Sequence, residues 1–268
     1  VNPWGFKNGR RVNRNNVDLG RNFTDGSSPF NWGYRDLFEF LNPRKLAAVG
    51  GWRDWAFAGQ SVYQLSRSSM AVLRQAILQG QYSHPQGIYY GGSWKPEAET
   101  LAVSEILGQI AVPYKHVYLA DIHTGYGQRG KLHLIPPPTR VEAVDKALRT
   151  VYGETSLEFP GTGEMYKTQG DLLDAVSVLS STGKTVVPVV YEFGTMDSQT
   201  TLGAIRSLHN IIAENQGYQW GYASEAQKQE IRRRFAEMFY PTSPEWRDAV
   251  LNQARSVLEE SLGRFEEL

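Results

Sequence analysis

Two short apolar runs stand out in the middle of the chain, Tyr118-Leu-Ala-Asp-Ile-His-Thr-Gly125 and the stretch from Val186 through Val190-Tyr-Glu-Phe-Gly194. Both are short and rich in β-branched or aromatic residues, a pattern that predicts buried strands. Each ends in a polar group, His123 in one and Glu192 in the other, and so presents it at the carboxyl edge of a sheet, where open α/β folds place their chemistry. Pro188 within the second run is awkward for a central strand. Apolar residues at helical spacing predict a short helix over residues 34–41 and a long amphipathic helix over residues 55–79, with Val62, Leu65, Met70, Leu73 and Ile77 as its stripe. A further helix is expected over residues 96–110, with proline and acidic residues in its first turn. A strand over 131–135 and a helix over 141–152 follow.

From about residue 199 to the end the pattern is helical throughout. Three helices are expected, divided at residues 217–222 and 241–244. Leu202, Ile205, Leu208, Ile211 and Ile212 mark the buried face of the first, Ile231, Phe235 and Phe239 that of the second, and Trp246, Val250, Val257 and Leu258 that of the third. Strands interleaved with helices predict an α/β protein of three layers, α/β/α, with these C-terminal helices covering the sheet.

Composition narrows the function classes. The chain has 268 residues, 41% hydrophobic and 21% charged, enough for one large core and a single domain. Formal net charge is zero, so there is no electrostatic case for nucleic acid or an anionic membrane. Cysteine is absent, which excludes disulfides and thiolate metal sites and leaves His, Asp and Glu to hold any metal. No apolar run reaches membrane-spanning length and nothing at the start resembles a signal peptide, so a cytoplasmic location is expected.

A histidine and a carboxylate at one sheet edge suggest a metal ligand, His123, and a general base, Glu192; read singly, either is a strand-end polar group capping a loop. Asp121 lies two residues before His123 and hence on the same strand face, where it can hydrogen-bond near a metal or to backbone. The loop Tyr126-Gly-Gln-Arg-Gly-Lys131 superficially suggests a phosphate loop but lacks the glycine spacing and the Ser/Thr after Lys, which discards nucleotide binding. Seven Trp and fourteen Tyr leave room for a carbohydrate-binding surface if Trp32, Trp52, Trp55 and Trp94 gather around one groove.

Five segments in order carry a family resemblance. Val1-Asn-Pro-Trp-Gly-Phe, Arg10-Arg-Val-Asn13 with Val17-Asp-Leu-Gly-Arg-Asn-Phe23, Gln81-Tyr-Ser-His-Pro-Gln-Gly-Ile-Tyr-Tyr-Gly-Gly92, and the two strands together resemble the zinc-carboxypeptidase family. More closely, they resemble an uncharacterised bacterial branch of it. The resemblance spans Val1 to about Thr195 and implies a mixed, mostly parallel sheet. It also implies one zinc ion and the hydrolysis of a peptide or amide bond, the substrate being a peptide or an N-acyl amino acid. His123 matches a zinc ligand and Glu192 the base. Arg11 matches the arginine that stabilises the oxyanion, Arg21 the one that clasps a substrate carboxylate, and Tyr166 a tyrosine that closes over the substrate. His84 is a candidate to line the pocket.

Two departures matter. None of the five histidines, His84, His116, His123, His133 and His209, is followed three residues on by glutamate, so the family's upstream His-x-x-Glu ligand pair has no counterpart in residues 1–268. The resemblance therefore implies a domain lacking its N-terminal part, inactive as it stands. Gly20 also stands where the family carries asparagine beside the carboxylate-clasping arginine, and a lost hydrogen bond to a charged group costs roughly 1.5–3 kcal/mol. N-acyl amino acid deacylase or amidase chemistry is thus an alternative to carboxypeptidase specificity. A non-catalytic binding protein on the same fold is another.

Overall fold

The structure is a computed structural model describing residues 2–24, 30–68, 72, 75–77, 79–93, 95–153, 156–159 and 170–268. Its centre is a three-stranded mixed sheet of β1 (His116–Gly125), β2 (Leu132–Ile135) and β3 (Thr185–Gly194) in the order β1-β3-β2. β1 runs parallel to β3 along its whole length, from His116 beside Thr185 to Gly125 beside Gly194, whereas β2 pairs antiparallel to the last part of β3 only. Pro188 is accommodated in the central strand because β2 reaches no further than Val190, which leaves one edge of β3 unpaired at the proline.

β3 is buried at nearly every position, so its pattern is a continuous apolar run rather than an alternation. Val187, Val189, Tyr191 and Phe193 join Val144, Leu148 and Val151 of the helix Glu142–Tyr152, and Trp246 of the helix Pro244–Glu266, in the largest core cluster. On this side the hydroxyl of Tyr118 meets those of Tyr152, Tyr191 and Ser261 at 2.5, 2.8 and 2.8 Å, so the buried polar atoms satisfy one another. Trp246 donates its ring N–H to the Gly194 carbonyl at 2.8 Å and fixes the carboxyl end of β3.

A second cluster packs Tyr34, Leu37 and Leu41 of two short helices, Trp32–Asp36 and Phe38–Leu41, against Phe57, Leu208 and Ile212. The expected long helix over 55–79 is corrected here. It runs from Trp52 to Arg67 and stops at Ser68, whose φ of −121° and ψ of 152° are extended. Its buried residues are Phe57 and Ser61, while Val62 of the expected stripe is exposed; residues 72 and 75–77 are helical again with Ile77 packed against the second cluster, and Met70 and Leu73 lie outside the described residues. The helix Ala98–Ala111, which leads into β1, falls where expected.

The three C-terminal helices also fall where the pattern placed them, at Thr201–Trp220, Glu225–Phe239 and Pro244–Glu266. Each is started by a side chain that accepts from its first turn, Thr200, Ser224 and Ser243 respectively. The first differs from its expected stripe: Leu202 is exposed, and the buried face includes Asn210, Glu214, Asn215 and Gln216. The chain opens with a short helix, Pro3–Asn8, capped by the Asn2 side chain accepting from Gly5 N–H and ended at Gly9 with φ 62°. Among the described residues no helix is long and apolar enough to cross a membrane.

Candidate active site at the sheet edge

Because β1 and β3 are parallel and in register, their carboxyl ends emerge together and place His123 directly beside Glu192. The side chains lie on one face, with His123 Nδ1 3.7 Å from Glu192 Oε2. Asp121, two residues back on that face, accepts from His123 Nε2–H at 2.9 Å. Both ring nitrogens therefore face carboxylates. Burial works against the imidazolium, but the hydrogen bond to Asp121 and the charges of Asp121 and Glu192 outweigh it and raise the His123 pKa. Glu192 is 8% exposed, and burial pushes its carboxyl above the usual range despite the opposing pull of His123, the Tyr126 N–H and Arg11.

The loop after β1 folds back over this pair. Tyr126 N–H donates to Glu192 Oε1 at 2.9 Å, which fixes one carboxylate oxygen. The loop is held in turn by His133 of β2, the strand partner of Glu192, whose buried Nε2 accepts from Gln128 N–H at 3.3 Å. His133 Nδ1 lies 2.7 Å from Glu158 Oε1, which makes Nδ1 the protonated nitrogen. A side chain at Gly127, where φ is 103°, would overlap the His133 ring, so glycine is required there. The segment that superficially suggested a phosphate loop thus spends the Tyr126 amide on a carboxylate.

The opening loop supplies the positive charge. Arg11 and Arg21 both donate Nε to the same oxygen of Asp18, at 3.0 and 3.1 Å. Burial disfavours the Asp18 carboxylate, but the two guanidinium groups overcome it and hold its pKa below the usual range. Arg11 keeps 37% of its side chain exposed, and its charge reaches both Glu192 and His123. Arg21 is buried, donating also to the Ile77 carbonyl at 3.3 Å, with its guanidinium 5.3 Å from the Tyr89 ring centre. Tyr89 itself is a buried non-glycine residue with φ 57°.

The structure therefore brings together His123, Glu192 and Asp121 with Arg11 near them, and ties Arg21 to Arg11 through the Asp18 oxygen that both bond. Tyr166 lies outside the described residues. His84 packs its ring on Phe38 at 4.2 Å and on Tyr34 at 6.0 Å, within the second core cluster. Sequence reading did not single out Asp18, His133, Glu158 or Tyr89. Asp18 carried a usable signal, three residues before Arg21 in the same motif; His133 did not, because its place beside Glu192 depends on strand register.

Comparison with known proteins adds a family and no more. The family described as "Protein of unknown function (DUF2817)" matches residues 1–253. No curated protein and no solved structure matches the chain.

Proposed function

The chain belongs to the DUF2817 family, and we propose that its sheet-edge site is that of a zinc-dependent, carboxypeptidase-like hydrolase of peptide or amide bonds. The observation that carries the reading is the in-register pair of His123 and Glu192 at the carboxyl ends of parallel strands, with Arg11 oriented beside them by Asp18. Glu192 is the base. With Oε1 engaged by the Tyr126 amide, Oε2 is the oxygen that takes the proton of an attacking water and later passes it to the leaving amine. Its raised pKa brings it nearer to neutral working pH. Arg11 offers a fixed positive charge to the carbonyl oxygen as it becomes anionic. Asp121 orients the His123 ring.

The zinc fits these residues only in part. His123 is a suitable ligand, yet among the described residues no three His, Cys, Asp or Glu side chains are grouped to hold a metal. One imidazole does not hold zinc usefully. The reading therefore assigns the ion two further ligands from polypeptide outside residues 1–268. When bound, zinc supplies Lewis acidity and lowers the pKa of water. Two features support additional sheet beyond β1: the outer edge of this ten-residue strand pairs with nothing among the described residues, and the preceding helix exposes Leu101, Ile106 and Ile110. Unprotected edges of this length are rare in finished folds.

Arg21 and Gly20 favour a broader amidase or deacylase activity within this class over strict carboxypeptidase specificity. Arg21 is buried on Asp18, and Gly20 offers no amide to a substrate carboxylate. The test compares residues 1–268 with a chain extended upstream. The extended chain binds about one zinc by the three-ligand rule and cleaves N-acyl amino acids or peptides, whereas residues 1–268 do neither. Glu192→Gln in the extended chain lowers turnover by about 10²–10⁴-fold with zinc content unchanged. Absence of both zinc and turnover in the extended chain supports the alternative of a binding protein that keeps the pocket without the metal; tight zinc in residues 1–268 alone overturns the ligand assignment.

A further inference from the structure

A second cavity lies away from the sheet edge. A groove of about 740 Å³ runs between the helix Trp52–Arg67, the segment around Phe40 to Ala48 and the helix Thr201–Trp220. That volume is within the usual range for small-molecule sites. Its aromatic lining is built in layers: Phe40 stacks on Phe57 at 5.3 Å and 19°, and Phe57 on His209 at 4.1 Å and 7°. Trp52 and Tyr63 stand at the groove with more than half of each side chain in solvent.

Neutral hydrogen-bonding groups interrupt this apolar surface. Gln60 and Gln64, one turn apart on the same helix, also line the groove. Gln216 faces it from the other helix and is buried to nine-tenths. Its amide nitrogen donates to the Lys45 and Leu46 carbonyls at 2.8 and 3.1 Å, which fixes the side-chain orientation. Its carbonyl oxygen accepts from no described residue and is not sealed from the groove. A purely apolar ligand laid here would leave that oxygen without a donor and would displace water from Gln60 and Gln64 without replacing its hydrogen bonds. The charges on the lining, Glu39, Lys45 and Arg53, nearly cancel, which gives no drive for a strongly charged ligand.

We propose that this groove binds a neutral oligosaccharide, its C–H faces lying on Trp52 and Tyr63 and its hydroxyls bonded by Gln60, Gln64 and the carbonyl oxygen of Gln216. Sugars present both chemistries at once, an apolar ring face and a rim of groups that donate and accept. The tryptophans do not gather as the sequence reading required. Of the three described, Trp52 alone lines the groove, Trp94 lies outside the described residues, and the platform is completed by Phe40, Tyr63 and His209. The proposal does not depend on the hydrolase reading, since binding here needs neither zinc nor Glu192.

The experiment titrates residues 1–268 with cellotetraose and with chitotetraose, following tryptophan fluorescence and, by saturation-transfer NMR, the sugar protons that touch protein. Expected is saturable binding of at least one tetrasaccharide, weakened about tenfold or more in Trp52→Ala and clearly weakened in Gln64→Ala. Both sites are on the surface of one helix, and circular dichroism checks that it persists. Trp55→Ala, on the same helix but outside the groove, should leave affinity unchanged. No saturable binding of either sugar overturns the proposal, as does equal loss in Trp55→Ala and Trp52→Ala. A hydrophobic dye that fills the groove and is not displaced by either sugar also overturns it, and identifies an apolar docking surface instead.

Discussion

Replacing Asp18 by Asn removes one buried negative charge from between two guanidinium groups and keeps the side chain's size. The cost is set mainly by Arg21, whose side chain is 7% exposed and which would be left charged in the interior. Breaking a buried pair by removing one partner typically costs about 3–5 kcal/mol. The Ile77 carbonyl and the Tyr89 ring remain beside Arg21 and favour the lower half of that range. Arg11 adds little, about 1 kcal/mol or less, because over a third of its side chain is in solvent. Asp18→Asn should therefore lower unfolding free energy in urea by about 3–4 kcal/mol at neutral pH. The Asp18 pKa is lowered in the folded state, so its stabilisation is fully present above the unfolded value of about 3.9 and is lost as pH falls through the folded one. The gap between wild type and Asp18→Asn should then be flat near neutrality and close only in acid below about pH 4. A gap under about 1 kcal/mol at neutral pH would refute a buried charge clamp, and a gap that stays constant into strong acid would refute its electrostatic origin.

Three other substitutions separate packing from function. Gly20→Asn should change stability by less than about 0.5 kcal/mol, because Gly20 is exposed and an added Cβ meets only Asp18 Oδ1 at 3.7 Å. In an extended, active chain it should tighten substrates with a free carboxylate and not blocked ones, and equal effects on both would remove carboxylate recognition from this position. His133→Phe keeps an aromatic ring but removes the acceptor of Gln128 N–H and the partner of Glu158, costing about 0.5–1.5 kcal/mol for each bond; hydrogen exchange should quicken at residues 126–130 beyond the global change, and unchanged loop protection would show that His133 does not hold the loop. Leu148→Ala, at a position with no solvent exposure in the largest core cluster, should cost about 2–5 kcal/mol in urea unfolding, and a loss under about 1 kcal/mol would mean that the helix Glu142–Tyr152 is not packed on the sheet as described.

What was legible in the sequence divides by the range of the interactions involved. β1, β3 and the three C-terminal helices could be read because local pattern and burial agree there: a β-branched run for β3, capping residues and prolines at the helix ends. The helix expected over 55–79 is shorter in the structure because apolar spacing alone does not mark Ser68, where the backbone becomes extended, and because Trp55, Val62 and Tyr63 are exposed rather than buried in a core. The polar face of the helix Thr201–Trp220 was equally opaque. Glu214 is buried because it meets Arg10 at 2.7 Å, 204 residues away in the chain, and no local pattern announces such a partner.

The candidate site lies between these extremes. Its two central residues were visible singly as strand-end polar groups, and their adjacency follows once the strands are parallel and in register. The supporting groups were not visible, since Asp18 is defined by the two arginines it joins and His133 by the strand opposite. Support of this kind is also what distinguishes a working site from a chance pair of polar side chains. A loop cap needs no second carboxylate on the imidazole, no amide aimed at one oxygen of Glu192, and no buried histidine holding that amide's loop in place. Each of those contacts costs conformational freedom or buries a polar group. Together they fix the Glu192 carboxylate and the His123 ring relative to each other, which is the arrangement the proposed base and ligand would need.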